Sequence, residues 1–279
     1  MPSWNIHTGL VEHVLAPGDA ASLGIRDANQ FLFGNLVPDV YVGYMAPDVS
    51  HTLRYIDTHY GQPTHIPVPE VDRFWDDWIA PAIGQGGVDD VVLGAWAHLL
   101  ADNRYNACVR VFNKRHSIPS GEKTRIAKQG DFDLFGHSLG ISTTVEVTPA
   151  LIQAAGRFPQ YEIEAQDVER AVAADRAIVE ASRRPPERTT YELLPRELIQ
   201  EVFDSIVAET RSGLASYVAQ LRHAGFDPAD AAPRLPLHRP KLWVGPEPAV
   251  RFAEDYQAGA AANDGGSAPD QQASKDPRR

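Results

Sequence analysis

Apolar residues recur every three or four positions along most of this chain, which is the spacing of one face of an α-helix. The first such segment begins at Ser3, a residue type that caps helices, and ends at Leu15. Its apolar stripe contains Ile6, Leu10 and Val14. Few stretches alternate with the period of two that is typical of a half-buried strand. The pattern therefore predicts an all-α fold.

Further helices are predicted wherever this spacing returns. We expect them at residues 26–36, 69–78, 89–114 and 132–140, from 149 onward, and at 165–183 and 192–224. Residues 37–67 are rich in proline and glycine and should form an ordered loop with one helical turn near 51–57. Residues 116–131 are polar and are expected to be a connection between helices.

The length and composition of the chain suit one large domain. It has 279 residues, of which 43% are hydrophobic, enough for an extensive core. We expect a single all-α domain over residues 1–257, with a first half at about 3–140 that carries candidate metal ligands and a helical second half at about 148–250. Residues 258–279 contain no large apolar side chain, so this tail is expected to be disordered.

The balance of charge and the cysteine count exclude several classes of function. With 26 Lys and Arg against 37 Asp and Glu, the formal net charge is -11. We expect no nucleic-acid partner, because an acidic chain gains little from counterion release. The single cysteine, Cys108, excludes an intramolecular disulfide and a zinc site made mainly of thiolates. No signal-peptide pattern or transmembrane-length apolar run occurs, so a cytoplasmic location is expected.

One predicted helix carries two polar residues that are unusual in its apolar surroundings. In the stretch VLGAWAHLLADNRYN, at residues 92–106, His98 and Asp102 stand four positions apart and project from the same helix face. Such a pair can be an ordinary hydrogen-bonded pair on a helix, or it can bind a metal ion. The spacing alone leaves both interpretations open.

Other histidines and aspartates of the first half extend this set. His7 lies in the first helix, Asp39 follows Pro38, His59 lies in IDTHYGQP, and His137 lies in DFDLFGHSL. Taken singly, each of them has an ordinary structural explanation, such as a turn or a packed histidine. Taken together, imidazole and carboxylate ligands suit zinc, or else iron or manganese. The residues therefore indicate a possible metal site.

The stretches PSWNIH, FLFGNLVPDV, DTHY, GAWAHLLADNRYN and QGDFDLFG follow one another over about residues 3–140. In this order they resemble the bacterial zinc-dependent phospholipase C family, which is related to the single-strand-specific zinc nucleases. The resemblance implies a multi-helical all-α fold around zinc ions. It also implies that the zinc ligands are His7, Asp39, His59, His98 and Asp102. Asp102 would bridge two ions, and Asp39 would also act as the general base.

The chain departs from the family pattern at the third zinc ion. That ion uses a further H-x-x-x-E motif, whereas Ile141 stands four residues after His137. We therefore expect at most two ions, or an altered site in which His137, Asp131 or Asp133 joins the ligands.

Two functions follow as hypotheses. The first is a zinc-dependent phosphoesterase that hydrolyses a phosphodiester or phosphomonoester by metal-activated water, with a small phosphoester or a phospholipid as substrate. The second is a non-catalytic helical protein on the same scaffold, which would bind metal or a partner through its long charged helices after residue 160.

Overall fold

The computed structural model describes residues 2–16, 18, 20–64, 66–186 and 188–229, and over these residues the chain is all-α, without a β-strand. The prediction of an all-α fold is thus confirmed. The helices are α1 (Trp4–Leu15), α2 (Ala28–Gly34), α3 (Val37–Val40), α4 (Tyr55–Thr58), α5 (Val71–Phe74), α6 (Ala80–Ile83), α7 (Asp90–Arg115), α8 (Glu122–Ser138), α9 (Pro149–Gly156), α10 (Ala165–Ser182) and α11 (Arg196–His223). A 3₁₀ turn at Ala20–Leu23 precedes α2, and a π-helical turn at Trp75–Ile79 joins α5 to α6.

The central element of the fold is α7. Every residue of this helix from Asp90 to Asp102 is buried, so its first half is enclosed on all sides. Helices α2, α3, α5 and α11 pack around it. A helix that is apolar all round is stable only in such a position, because every face must be covered. Polar side chains on this half of α7 consequently lie inside the hydrophobic core.

The packing of α2 against α7 depends on two glycines. A Cβ atom at Gly94 would overlap the backbone of Phe31 and Asn35, and one at Gly34 would overlap the backbone of Val91. The backbones of the two helices are therefore in direct contact, which only glycine permits. This contact brings the backbone carbonyl of Asn35 close to the interior face of α7.

The structure differs from the sequence prediction at α8. Residues 116–131 were expected to form a connection and 132–140 a short helix, but α8 is one helix from Glu122 to Ser138. Its N-terminal half is exposed or half-buried except at Lys128, and it contains few apolar residues, so the hydrophobic pattern does not reveal it. Phe132 and Phe135 are fully buried and attach the helix to the core.

The described residues end before the predicted domain boundary. The predicted domain continues to residue 257 and the predicted tail covers 258–279, but residues from 230 onward lie outside those that the structure describes.

Among the described residues, no helix combines the length and the apolar character needed to cross a bilayer.

Candidate metal centre

Five polar side chains meet in the interior, where α1, α3, α4 and α7 approach one another. They are His7 from α1, Asp39 from α3, His59 at the C-terminal cap of α4, and His98 and Asp102 from α7. Each of them is at most 1% exposed to solvent. We call this group the His/Asp cluster. Residues from three separate stretches of sequence thus join the helical pair of α7.

The ligand atoms of the cluster lie close together. His59 Nε2 is 3.1 Å from His98 Nε2 and 3.5 Å from Asp39 Oδ1. Asp102 Oδ2 is 3.5 Å from His59 Nε2 and 4.0 Å from His98 Nε2. On the other side, Asp102 Oδ1 is 3.5 Å from His7 Nε2. Ligand atoms around a tetrahedral zinc ion are about 3.3–3.6 Å apart when the bonds are about 2.0–2.2 Å long. The spacing in the cluster is close to that value.

The hydrogen-bond partners assign the protonation of two imidazoles. His98 Nδ1 lies 2.8 Å from the backbone oxygen of Asn35, which can only accept a hydrogen bond, so Nδ1 carries the proton. His59 Nδ1 lies 3.2 Å from the backbone oxygen of Tyr55 and carries its proton for the same reason. The Nε2 atoms of the two rings then face each other at 3.1 Å. This arrangement is repulsive unless a proton or a cation lies between them.

Several polar atoms of the cluster have no hydrogen-bond partner among the described residues. These atoms are both ring nitrogens of His7, Oδ1 of Asp39 and Oδ1 of Asp102. Buried polar atoms are nearly always paired, because an unpaired one loses its hydration without compensation. Four such atoms in one buried group therefore indicate a missing electrostatic partner.

The directions of the pKa shifts indicate that the His/Asp cluster is negatively charged. Burial raises the pKa of Asp39, but the His98 and His59 rings lower it more, so its pKa lies below the ordinary value. The pKa of Asp102 is also low, because the surrounding imidazoles outweigh the effect of burial. Burial and the neighbouring His7 ring lower the pKa of His98 to about 3. Two ionised carboxylates and a neutral imidazole are thus enclosed in the core, a costly arrangement without a compensating cation.

Further residues orient the cluster, and the sequence prediction did not include them. Tyr55 Oη donates a hydrogen bond of 2.6 Å to Asp102 Oδ2, and Trp4 Nε1 donates one of 3.1 Å to Asp39 Oδ2. The Tyr55 ring also stacks on His59, with a centroid distance of 3.7 Å. Outer partners of this kind fix the orientation of metal ligands.

The structure does not bring the other predicted ligands to the cluster. His137 Nε2 donates to the backbone oxygen of Arg184, near the end of α8. The carboxylate of Asp131 accepts three backbone N–H groups, from residues 192–194. Asp133 lies on the outer side of α8, where Gln129 donates to it at 3.4 Å. None of the three faces the five clustered side chains.

A second group of possible ligand atoms, formed by His51, Glu164 and Asp167, lies at the surface. Its buried carboxylate, Asp167, already accepts hydrogen bonds from Ser50 and Tyr41. These bonds fasten the loop before α4 to α10, which gives Asp167 a structural role.

Comparison with known proteins gives no family for this chain, since no protein-family model, no curated protein and no solved structure matches it.

Proposed function

We propose that the His/Asp cluster binds divalent metal ions, with zinc as the first candidate and iron or manganese as the next. The observation that carries this proposal is the set of unpaired ligand atoms around two imidazole lone pairs that face each other at 3.1 Å. A single proton shared between His59 and His98 would relieve only those two rings. It would leave His7 and one oxygen each of Asp39 and Asp102 unpaired, whereas cations would compensate both carboxylate oxygens and the His7 nitrogen that carries the lone pair.

The arrangement of Asp102 favours two ions over one. Its Oδ1 faces His7 at 3.5 Å, and its Oδ2 faces His59 at 3.5 Å. A carboxylate whose two oxygens face different imidazoles is suited to hold two ions at once. In this proposal Asp102 is the shared ligand, and the other four residues of the cluster complete the ligand sets.

We further propose that the protein hydrolyses a phosphoester. Divalent ions bound here would supply Lewis-acid polarisation and activation of water. Asp39 would accept the proton of the attacking water, because it is ionised and its Oδ1 has no hydrogen bond among the described residues. The Trp4 indole would donate a hydrogen bond to Oδ2 of Asp39 and so keep Oδ1 directed toward the attacking water. Asp39 is also the member of the cluster that lines a solvent-accessible cleft.

The choice of phosphoester chemistry is supported by the sequence stretches that resemble the bacterial zinc-dependent phospholipase C family. The five residues that this resemblance implies as ligands are the five members of the cluster. A small phosphoester or a phospholipid headgroup is the corresponding substrate class.

The alternative is a structural metal site in a non-catalytic protein. The nearly complete burial of the cluster favours it, because structural sites are closed and catalytic sites keep a position for water or substrate. Access through the cleft beside Asp39 favours the catalytic interpretation.

The first experiment is a determination of bound metal by inductively coupled plasma mass spectrometry, on protein purified without chelator or polyhistidine tag. We expect about two equivalents of zinc, iron or manganese per chain. Asp102→Asn, which preserves side-chain volume, should lose most of the metal, and so should His98→Ala. His137→Ala is the matched control and should keep it, because His137 lies outside the cluster.

Turnover is then tested with bis(4-nitrophenyl) phosphate and 4-nitrophenyl phosphate. Hydrolysis that requires the bound metal and disappears in Asp39→Asn supports the proposed reaction. A full complement of metal with no hydrolysis of either ester favours the structural site. Absence of metal after incubation with each of the three ions would refute the metal centre itself.

A further inference from the structure

A cleft of about 840 Å³ opens beside the His/Asp cluster. One side of it is formed by α8, and the other by the end of α10 and the residues that follow it. Asp39 lines the cleft, although its side chain is almost fully buried and its Oδ1 has no hydrogen bond among the described residues. The cleft therefore leads from solvent to the proposed base of the reaction.

The charge of the cleft differs from that of the whole chain. The formal net charge is -11, yet the cleft is lined by three arginines, Arg125, Arg184 and Arg188, against two aspartates, Asp39 and Asp133. A group of like charges in a concave site creates a local potential that the overall charge does not indicate. An anionic molecule would be attracted to this site in spite of the acidic surface elsewhere.

The three arginines are not equivalent. Arg188 is engaged in structure, because its guanidinium pairs with Asp131 at 3.6 Å and with Glu192 at 2.5 Å. Arg125 pairs with Glu122 at the surface, and an exposed pair of this kind contributes little and exchanges readily.

Arg184 differs from both in the use of its side chain. Its backbone oxygen accepts a hydrogen bond from His137, which fixes the backbone at this point. Its guanidinium makes no hydrogen bond or ion pair with the part of the chain that the structure describes. Among the described residues that line the cleft, Arg184 is thus the first candidate for binding an anion, and Arg125, whose pair with Glu122 lies at the surface, is the second.

The remaining surface of the cleft is largely apolar. Met45, Ile178 and Pro185 lie on its walls, together with other aliphatic side chains. A cleft that combines apolar walls with a few charged groups is typical of a small-molecule site, in which the walls bind the body of the ligand and the charges orient it.

We propose that this cleft binds the organic part of the substrate, and that this part has an apolar body and a second anionic group, a carboxylate or a phosphate. Arg184 and Arg125 hold the second anion, while the reacting phosphoryl group lies at Asp39. The inference rests on the proposed phosphoesterase function, because it takes the phosphoryl position from that function. Arg184 and Arg125 are accordingly specificity-determining residues.

The test is equilibrium binding, by isothermal titration calorimetry, of two phosphonates whose carbon–phosphorus bond resists hydrolysis. Benzylphosphonate and 4-(phosphonomethyl)benzoate share the aromatic ring and the phosphonate, and only the second carries a carboxylate. We expect the wild-type protein, with its metal content measured on the same sample, to bind the carboxylate at least about 5-fold more tightly. Arg184→Ala and Arg125→Ala should each reduce this preference.

Two neighbouring cations serve as matched controls. Arg183→Ala and Lys123→Ala remove the same charge from exposed positions that do not line the cleft, so both should keep the preference. Equal affinity of the wild-type protein for the two phosphonates would overturn the inference, and so would a preference that survives in Arg184→Ala and Arg125→Ala together.

The phosphonate-binding test and the tests of the proposed function can fail independently of each other. If the protein binds metal and hydrolyses phosphoesters but shows no preference, the cleft inference is wrong and the function stands. If the carboxylate preference depends on the two arginines in protein that lacks metal or turnover, the anion site of the cleft stands, but the proposed function is wrong, and with it the assignment of this anion to a phosphoester substrate.

Discussion

A pH-dependent loss of stability is expected from Asp90, at the start of α7. Its carboxylate is buried, and its Oδ2 accepts the backbone N–H groups of Arg26 at 3.0 Å and Asp27 at 2.7 Å. Burial raises the pKa of Asp90 from 3.8 to about 6, although the Arg26 guanidinium partly opposes this shift. Asp90 precedes His98 by eight residues on α7, about 12 Å along the helix axis, and its pKa shift is caused by burial, Arg26 and Asp27 and not by the His/Asp cluster.

The sign and the size of this change in stability follow from the pKa shift of Asp90. Because the pKa of Asp90 is higher in the folded state, its contribution to stability is fully present below pH 3.8 and is lost as the pH rises through about 6. The shift of about 2 units corresponds to about 3 kcal/mol, at about 1.4 kcal/mol per unit. Between about pH 5 and pH 8, the wild-type free energy of unfolding should lose about 1.4 kcal/mol of this contribution.

The assay is urea unfolding of the wild type and Asp90→Asn at several pH values and constant ionic strength. Asparagine keeps an oxygen for the two N–H groups and does not ionise, so the stability of the variant relative to the wild type should rise with pH. Asp76→Asn removes the same charge from an exposed side chain and corrects for the change in net charge. Parallel pH profiles of wild type and Asp90→Asn would refute the reasoning.

Three further changes test how the helices hold the cluster. Gly94→Ala should cost about 1–3 kcal/mol in thermal unfolding, since its Cβ overlaps the backbone of α2, whereas Gly156→Ala meets nothing within 4 Å and should be nearly neutral. Trp4→Phe leaves Asp39 Oδ2 without its donor and should lower metal affinity about 10–100-fold, measured by competition with a chelator. Asp131→Ala removes three charge-assisted hydrogen bonds and should cost about 3 kcal/mol or more in denaturant unfolding, with metal content unchanged.

The helical pair of the cluster was predictable from the sequence, and its partners were not predictable from spacing alone. His98 and Asp102 share a face because four residues make about one turn. The approach of His7 to Asp102 depends on the packing of α1 beside α7, and no local pattern encodes that packing. His137 was predicted as a possible ligand because the resembled family has further histidine ligands after the helical pair, but its side chain contacts the backbone oxygen of Arg184.

Two of the orienting residues left a signal in the sequence. Trp4 precedes His7 by three residues on α1, and Tyr55 precedes His59 by four, so each pair shares a helical face. A search for hydrogen-bond donors at these offsets from candidate ligands would have found both. Asn35 acts through its backbone oxygen, and this role is independent of residue type, so no sequence pattern could identify it.

The orientation of His98 within the cluster is set by helix packing. The proton on His98 Nδ1 is fixed by the backbone oxygen of Asn35, which reaches it because α2 contacts α7 at Gly94. Since Nδ1 is held in this way, Nε2 must present a lone pair to the interior. Helix packing thus places the two Nε2 atoms 3.1 Å apart, a repulsive arrangement that the proposed cation would relieve on binding. In the proposed metal centre, a change in the packing of α2 on α7 should therefore weaken metal binding before it unfolds the chain.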